Sequence, residues 1–349
     1  MVGRNRNAFC VVRPPGHHAG VNGLLAGGES CGFCIFNSVA AGAMHALSKA
    51  KESHSPGCER VAIVDIDAHH GNGTEEIVQK CHDPSRLFFF SVHIFDHDKK
   101  KGIKPDYSFY PGTGDEDDVA RNIINVPLAP LWREKEVLSA PTSSDVSKDS
   151  TAQPNASKLI QTRGRTRRAV SSDSSPSPAS LSDSDGSSRE ATVAKKAKPE
   201  VSRPAHYMLG VGRMAYRRAI QQRLIPSLRA FNPDLILLST GFDAAREDVG
   251  NAWHSLGGKQ RAGLDLEPED YAWTTRKIME VADICCQGRV VSVLEGGYGR
   301  TPPPPAPSSE AAEGDSAAEL DKSIFSDCAL RHLQALADPF DYEMRQGSS

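Results

Sequence analysis

The stretch Val61-Ala62-Ile63-Val64-Asp65-Ile66-Asp67-Ala68-His69-His70-Gly71-Asn72-Gly73 opens on an apolar run and passes straight into carboxylates, imidazoles and glycines. Continuous rather than alternating hydrophobicity marks a strand covered on both faces, as in a mainly parallel sheet between helices. A strand is therefore predicted over Val61–Ile66, and five other runs read the same way: Phe9–Val12, Leu87–Val92, Ile123–Val126, Leu235–Leu238 and Val290–Leu294. Helical spacing recurs between them, at Tyr271, Thr274, Thr275, Ile278 and Ala282 after Pro268, and over 214–231 with a bend expected at Pro226. Strand–helix alternation predicts an α/β protein, a three-layer α/β/α sandwich around an open, doubly wound sheet.

The chain has 349 residues with 41 Lys+Arg against 44 Asp+Glu, so a generally basic, sequence-specific nucleic-acid binder is not expected. No apolar run reaches the ~18–20 residues of a membrane span. Eight cysteines scattered over this length suit a reducing compartment better than a disulfide framework. Between Trp132 and Tyr207 there is no aromatic residue, and 137–205 is rich in Ser, Pro, Thr and Asp, a composition that predicts disorder. A second flexible insert, proline-rich and then acidic, is expected over 301–319. A single domain would then comprise 1–136 and 206–340.

In open α/β sheets, ligands bind beyond the carboxyl ends of the strands. Here those ends deliver Arg13-Pro14-Pro15-Gly16-His17-His18, then Asp65 to Gly73, then Ser91-Val92-His93, then Gly241-Phe242-Asp243, and finally Glu295-Gly296-Gly297-Tyr298. Asp67 and His69 share one side of an extended segment, because side chains alternate with period two. With Asp243 they make three protein ligands and leave an open fourth position, the pattern of a catalytic zinc site; ferrous iron also suits two carboxylates and an imidazole. Histidines such as His17 and His18 move protons near neutral pH, and Asp65 and Asn72 are the candidate partners for their far nitrogens. A simpler reading of Asn72 and Glu75 is a helix capping box. Tyr298, behind two glycines, could donate its hydroxyl to an oxyanion. The Cys31-x-x-Cys34 pair lacks a second pair to complete a structural zinc site and is read as packing.

Taken together, these segments resemble the zinc-dependent histone deacetylases, class II branch, within the arginase/deacetylase superfamily. The matching segments also include Gly32-Phe33-Cys34-Ile35-Phe36-Asn37, Phe109-Tyr110-Pro111-Gly112 and Gly241-Phe242-Asp243-Ala244. The resemblance implies the arginase/deacetylase fold and hydrolysis of N-acetyl-lysine. It implies Asp67, His69 and Asp243 as zinc ligands, and His18 as general base and acid. His17 is then oriented by Asp65, with Asn72 behind His18 and Tyr298 at the oxyanion. Phe33, Gly32, Tyr110, Gly296 and Gly297 would line the substrate channel. A monovalent cation, K+ by analogy, would be held by Asp65, Asp67, His69, Ser91 and Val92. Gly71 and Ala245 stand where the related arginases carry the acids of a second metal, so one ion is expected.

The resemblance further implies acetylated histone tails or other acetyl-lysine proteins as partners, a corepressor complex, and work in chromatin and transcription regulation in the nucleus, with the cytoplasm as a second location. Tubulin and acetylpolyamines are alternative substrates, and an inactive deacetylase-like scaffold is the alternative function. Basic clusters at 163–168 and 195–198 would serve nuclear import. About a dozen residues precede Arg13 where the family carries a longer segment, so the N-terminal part of the family domain is expected to be missing.

Overall fold

The computed structural model describes residues 6–49, 58–96, 109–134, 210–254, 260–302 and 319–340. All of them belong to one unit, built from Met1–Ala140 and Arg203–Ser349. The insert expected at 137–205 lies wholly outside the described residues, as does the one at 301–319 except for Thr301, Pro302 and Glu319, and so do both basic clusters.

Six strands form one all-parallel sheet: β1 (Asn7–Cys10), β2 (Val61–Asp65), β3 (Leu87–Ile94), β4 (Ile123–Leu128), β5 (Leu235–Thr240) and β8 (Val290–Leu294). Their order is β1-β8-β5-β2-β3-β4, while β6 (Ala252–His254) and β7 (Gln260–Ala262) form a separate antiparallel pair. The helices are α1 (Ser38–Lys49), α2 (Asn72–Gln79), α3 (Gly212–Ala219), α4 (Ile225–Phe231), α5 (Pro268–Cys286) and α6 (Ser323–Ala337).

Alternate residues of the strands feed two separate cores. Val61, Ile63, Leu87, Phe89, Leu235 and Leu237 pack with Val39, Ala43 and Leu47 of α1 and Val78 of α2. Ala62, Val64, Phe88, Phe90, Ile236 and Leu238 pack with α3, α4, α5 and α6. Period-two alternation inside an uninterrupted apolar run thus creates two buried faces and the three expected layers.

Several boundaries move. The first strand is Asn7–Cys10 rather than Phe9–Val12, and Val11 is left 71% exposed. Strand β4 runs on through Pro127, which an edge strand accepts because an outward-facing position needs no N–H. The segment 214–231 is interrupted as expected, by a π-helical turn over Ile220–Leu224 just before Pro226, where the ring removes a helical N–H donor. Among the described residues no helix is long and apolar enough to cross a membrane.

The chain leaves β2 towards β3 and β4 on one side, then returns to place β5 on the other side. The switch point, where helices part and a crevice opens beyond the carboxyl ends, therefore lies between β2 and β5.

Candidate active site and metal centre

The loops following β2 and β5 meet at that crevice. One ligand atom from each of Asp67, His69 and Asp243 lies within 4.8 Å of the others. His69 Nδ1 is 3.1 Å from Asp67 Oδ1 and 2.9 Å from Asp243 Oδ2. Backbone donors fix the carboxylates: Gly296 N–H to Asp67 Oδ2 at 2.9 Å, His69 N–H to Asp67 Oδ1 at 2.8 Å, and Ala68 N–H to Asp243 Oδ1 at 2.9 Å. The His69 ring stacks on Phe109, centroids 4.6 Å apart and planes 12° from parallel.

This cluster fits a divalent ion by its own chemistry. Two carboxylates and an imidazole are hard-to-borderline donors suited to zinc or ferrous iron. The carboxylates are also cradled by backbone that a side chain would spoil: a Cβ on Gly296 would stand 2.6 Å from Asp243 Oδ2 and 2.7 Å from Asp67 Oδ2, and one on Gly241 would collide with Asp67.

The loop after β1 carries the histidine pair, both buried, with ring centroids 4.0 Å apart. His17 Nδ1 lies 2.9 Å from Asp65 Oδ2, and His18 Nδ1 lies 2.8 Å from Asn72 Oδ1. Neither Asn72 nor Glu75 caps α2: its N-cap is Gly71, and Glu75 instead reaches His70 and Asn125. His17 Nε2 comes within 3.7 Å of Asp67 Oδ1, and the His18 and His69 ring centroids are 5.9 Å apart.

The two imidazoles are electrostatically unlike. Burial alone would lower the pKa of His17, but the carboxylates of Asp65 and Asp67 outweigh it and hold that ring well above its ordinary value. Burial, reinforced by the neighbouring charges of His17 and His69, holds His18 well below. His17 is thus the charged member and His18 the neutral one, able to accept a proton.

Tyr298 enters from the loop after β8. Its ring lies 6.2 Å from that of Phe33, and the Arg13 guanidinium sits 5.5 Å over its face. Burial and the charges of Asp243 and Asp67 raise its pKa, which keeps the phenol a hydrogen-bond donor. Phe33 adopts a left-handed φ of +68° and stands 76% exposed, while the Tyr110 ring packs 4.9 Å from that of His18 and its hydroxyl donates to the Ser30 carbonyl at 2.8 Å. Gly32 is pressed against the His18 and Tyr110 rings; a Cβ there would lie 2.9 Å from Tyr110 Cε1 and 3.0 Å from His18 Nε2.

Of the residues expected to line the channel, Gly32 and Tyr110 lie against the His18 ring and Phe33 against the Tyr298 ring. Gly296 lies lower, against the metal-cluster carboxylates, and Gly297 backs onto Phe242 and Phe325. Of the cation group, Ser91 is the register partner of Asp65 on the neighbouring strand, and its Oγ is 2.9 Å from His93 Nδ1. Val92 contributes its side chain to a core. Cys34 is buried, and its Sγ accepts the His18 N–H at 3.4 Å; all eight cysteines are free thiols.

Two carboxylates have structural roles that the sequence reading does not assign: Glu295, quoted above only as part of a strand end, and Asp248. Glu295 is fully buried: its Oε2 accepts from Gly16 N at 2.6 Å and His17 N at 3.1 Å, and its Oε1 from Ser239 Oγ at 2.6 Å. It ties the histidine loop to the end of β8, which β1 adjoins in the sheet. Asp248, also buried, opens the short turn Val249–Asn251. Its only trace in sequence is an Asp two residues before a glycine, the signature of an Asx turn.

Comparison with known proteins agrees with this geometry. Residues 1–155 and 184–304 match the family model described as "Histone deacetylase domain". Type-2 histone deacetylase 2 of Dictyostelium discoideum is 30% identical over 300 residues, which is 84% of this chain and 11% of that protein. Histone deacetylase 15 of Arabidopsis thaliana is 28% identical over 303 residues, 85% of this chain and 34% of that protein. The chain therefore spans well under half the length of these relatives. Among solved structures, the crystal structure of the HDA15 HD domain superposes with a TM-score of 0.52 at 24% identity, covering 96% of this chain and 57% of that one, a likeness in fold. The chain, with the family's domain matched over most of its length and the metal cluster and histidine pair gathered on one rim, belongs to the histone deacetylase family.

Proposed function

We propose that the chain hydrolyses N-acetyl-lysine side chains at this rim. The observation that carries the reading is the convergence of three elements on one crevice: the Asp67/His69/Asp243 cluster, a neutral His18 beside a charged His17, and the Tyr298 hydroxyl donor. Asp67, His69 and Asp243 would hold the zinc. Zinc bound there supplies Lewis acidity, polarising the acetyl carbonyl and making a water more acidic.

The chain's own residues then move protons and stabilise charge. His18 takes the proton of the attacking water, its far nitrogen anchored on Asn72. His17, paired with Asp65, keeps a positive charge next to the developing negative one. Tyr298 donates its O–H to the oxyanion, and His18 returns its proton to the departing lysine nitrogen. Phe33 and Tyr110 flank the aliphatic stem of the substrate, and Gly32 lets it approach His18 closely. Asp65, Ser91 and the backbone near Val92 are the proposed neighbours of a K+ ion that steadies the same loops.

The substrates proposed are acetylated histone tails or other acetyl-lysine proteins, in the nucleus and within a corepressor complex. The catalytic domain proposed is 1–136 with 206–340. An intact catalytic set, Tyr298 included, favours an enzyme over a scaffold. The test is turnover of an acetyl-lysine peptide by the full chain and its variants. His18→Ala and Tyr298→Phe are each expected to lose about 10²–10³-fold or more in kcat. Near-normal turnover in His18→Ala would overturn the assignment.

A further inference from the structure

The Tyr298 loop has little stiffness of its own. Gly297 and Gly299, on either side, both occupy positive φ, +118° and +99°, so the backbone there is free to adopt many conformations before it is ordered. On its outer side the tyrosine meets two exposed groups, the Phe33 ring in a T-shaped contact and the Arg13 guanidinium over its face. What holds the loop lies beneath it. Asp248 Oδ2 accepts the N–H of Tyr298 at 2.9 Å and of Gly299 at 2.7 Å, and its Oδ1 accepts Gly250 N–H at 2.8 Å. The carboxylate is completely buried, and Val249 N–H donates to the Gly299 carbonyl at 2.9 Å alongside it.

The same turn also grips the metal cluster. Asn251 Nδ2 donates to the Asp243 carbonyl at 2.6 Å. Gly250 is the surface on which the tyrosine ring rests: a Cβ there would lie 2.8 Å from Tyr298 Cδ2 and 2.7 Å from Asp243 Cβ.

We propose that Asp248 is a positioning residue for Tyr298, using its two oxygens to lock the tyrosine loop at a fixed offset from Asp243. This rests on the reading of Tyr298 as the oxyanion donor. Asp248 touches neither substrate nor ion; it acts through the two N–H groups that it fixes, so that the hydroxyl is already in place when charge develops. Such preorganisation changes the rate of the chemical step and leaves substrate binding alone.

The test is a double-mutant cycle in the full chain, with kcat, KM and zinc content measured together. Asp248→Asn is the informative variant, because its carbonyl oxygen can still serve Tyr298 and Gly299 while its amide opposes Gly250 N–H and slackens the turn. A fall in kcat of about 10- to 100-fold is expected, with KM within about twofold and zinc content unchanged. Asp248→Ala, which frees all three donors, is expected to fall further. In the Tyr298→Phe background Asp248→Asn should cost nothing more, since there is no hydroxyl left to misplace. The same fold-loss in both backgrounds, or a loss shared by KM and zinc content, would overturn the proposal. Full turnover in Tyr298→Phe would instead bring down the tyrosine reading itself, and this inference with it.

Discussion

Replacing Glu295 by Ala separates a structural carboxylate from a catalytic one. Its side chain receives three hydrogen bonds, from Gly16 N, His17 N and Ser239 Oγ, all in the buried interior. Bonds to a charged acceptor contribute about 1.5–3 kcal/mol each, and a buried donor left bare costs about 1–3 kcal/mol. Ser239 can turn its hydroxyl elsewhere, whereas the two backbone N–H groups cannot. A loss of about 4 kcal/mol is therefore expected for Glu295→Ala, a large share of the ~5–15 kcal/mol that holds a typical domain. Glu295→Gln keeps an oxygen for Gly16 and His17 and presents its amide to Ser239, which can accept; about 1 kcal/mol is expected there. Urea unfolding at constant m-value measures both, and turnover should follow, because the freed loop carries His17 and His18. Equal destabilisation by Ala and Gln, or under ~1 kcal/mol for Ala, would refute this role of Glu295 in the histidine loop.

Gly296→Ala should push both cluster carboxylates aside, lowering zinc affinity by about 10–100-fold in a competition titration with a chromophoric chelator. Phe33→Ala should raise KM by about tenfold with kcat held if the exposed ring grips the substrate stem as proposed, equally in ground and transition states. His332 gives a pH dependence far from the chemistry. Thr275 gives its hydroxyl proton to the Tyr271 carbonyl, so His332 Nδ1 donates to Thr275, and in the neutral ring Nε2 accepts from Ser292. Burial pushes its pKa down to about 4 from the ordinary 6.5. The unfolded chain therefore binds the extra proton first, and stability present above pH 6.5 is lost as pH falls towards 4, by up to about 3 kcal/mol. Melting temperature followed across that window should fall more steeply in the parent than in His332→Gln; parallel curves would contradict it.

The fold was legible because its central strands are hydrophobic on both faces. Val61–Val64, Leu87–Phe90 and Leu235–Leu238, short, continuously apolar and largely β-branched, aromatic or leucine, read as strands of a covered sheet, and strand ends then locate the chemistry. The edge is less legible. Strand β1 begins on Asn7, whose amide is occupied by the Leu336 carbonyl, and the exposed Val11 and Val12 imitate a strand that is not there. The β6–β7 pair carries no periodic apolar pattern at all. Asp67, His69 and Asp243 could be picked out since residue type and spacing express metal chemistry. Glu295 and Asp248 could not, because their partners are backbone N–H groups brought near only by folding: Gly16 is 279 positions from Glu295, and Gly299 is 51 from Asp248. Carboxylates that organise backbone leave almost no mark in a single sequence.

The proposed chemistry requires one divalent ion shared by Asp67, His69 and Asp243. Its most direct test is to strip the full chain of metal under anaerobic conditions and return zinc in steps, reading bound metal and acetyl-lysine hydrolysis on the same samples. One ion per chain should bind, with turnover rising in proportion and stopping at equivalence, while Asp243→Ala should bind none tightly and stay silent. Turnover without bound metal, or an Asp243→Ala chain that keeps its ion, would contradict it.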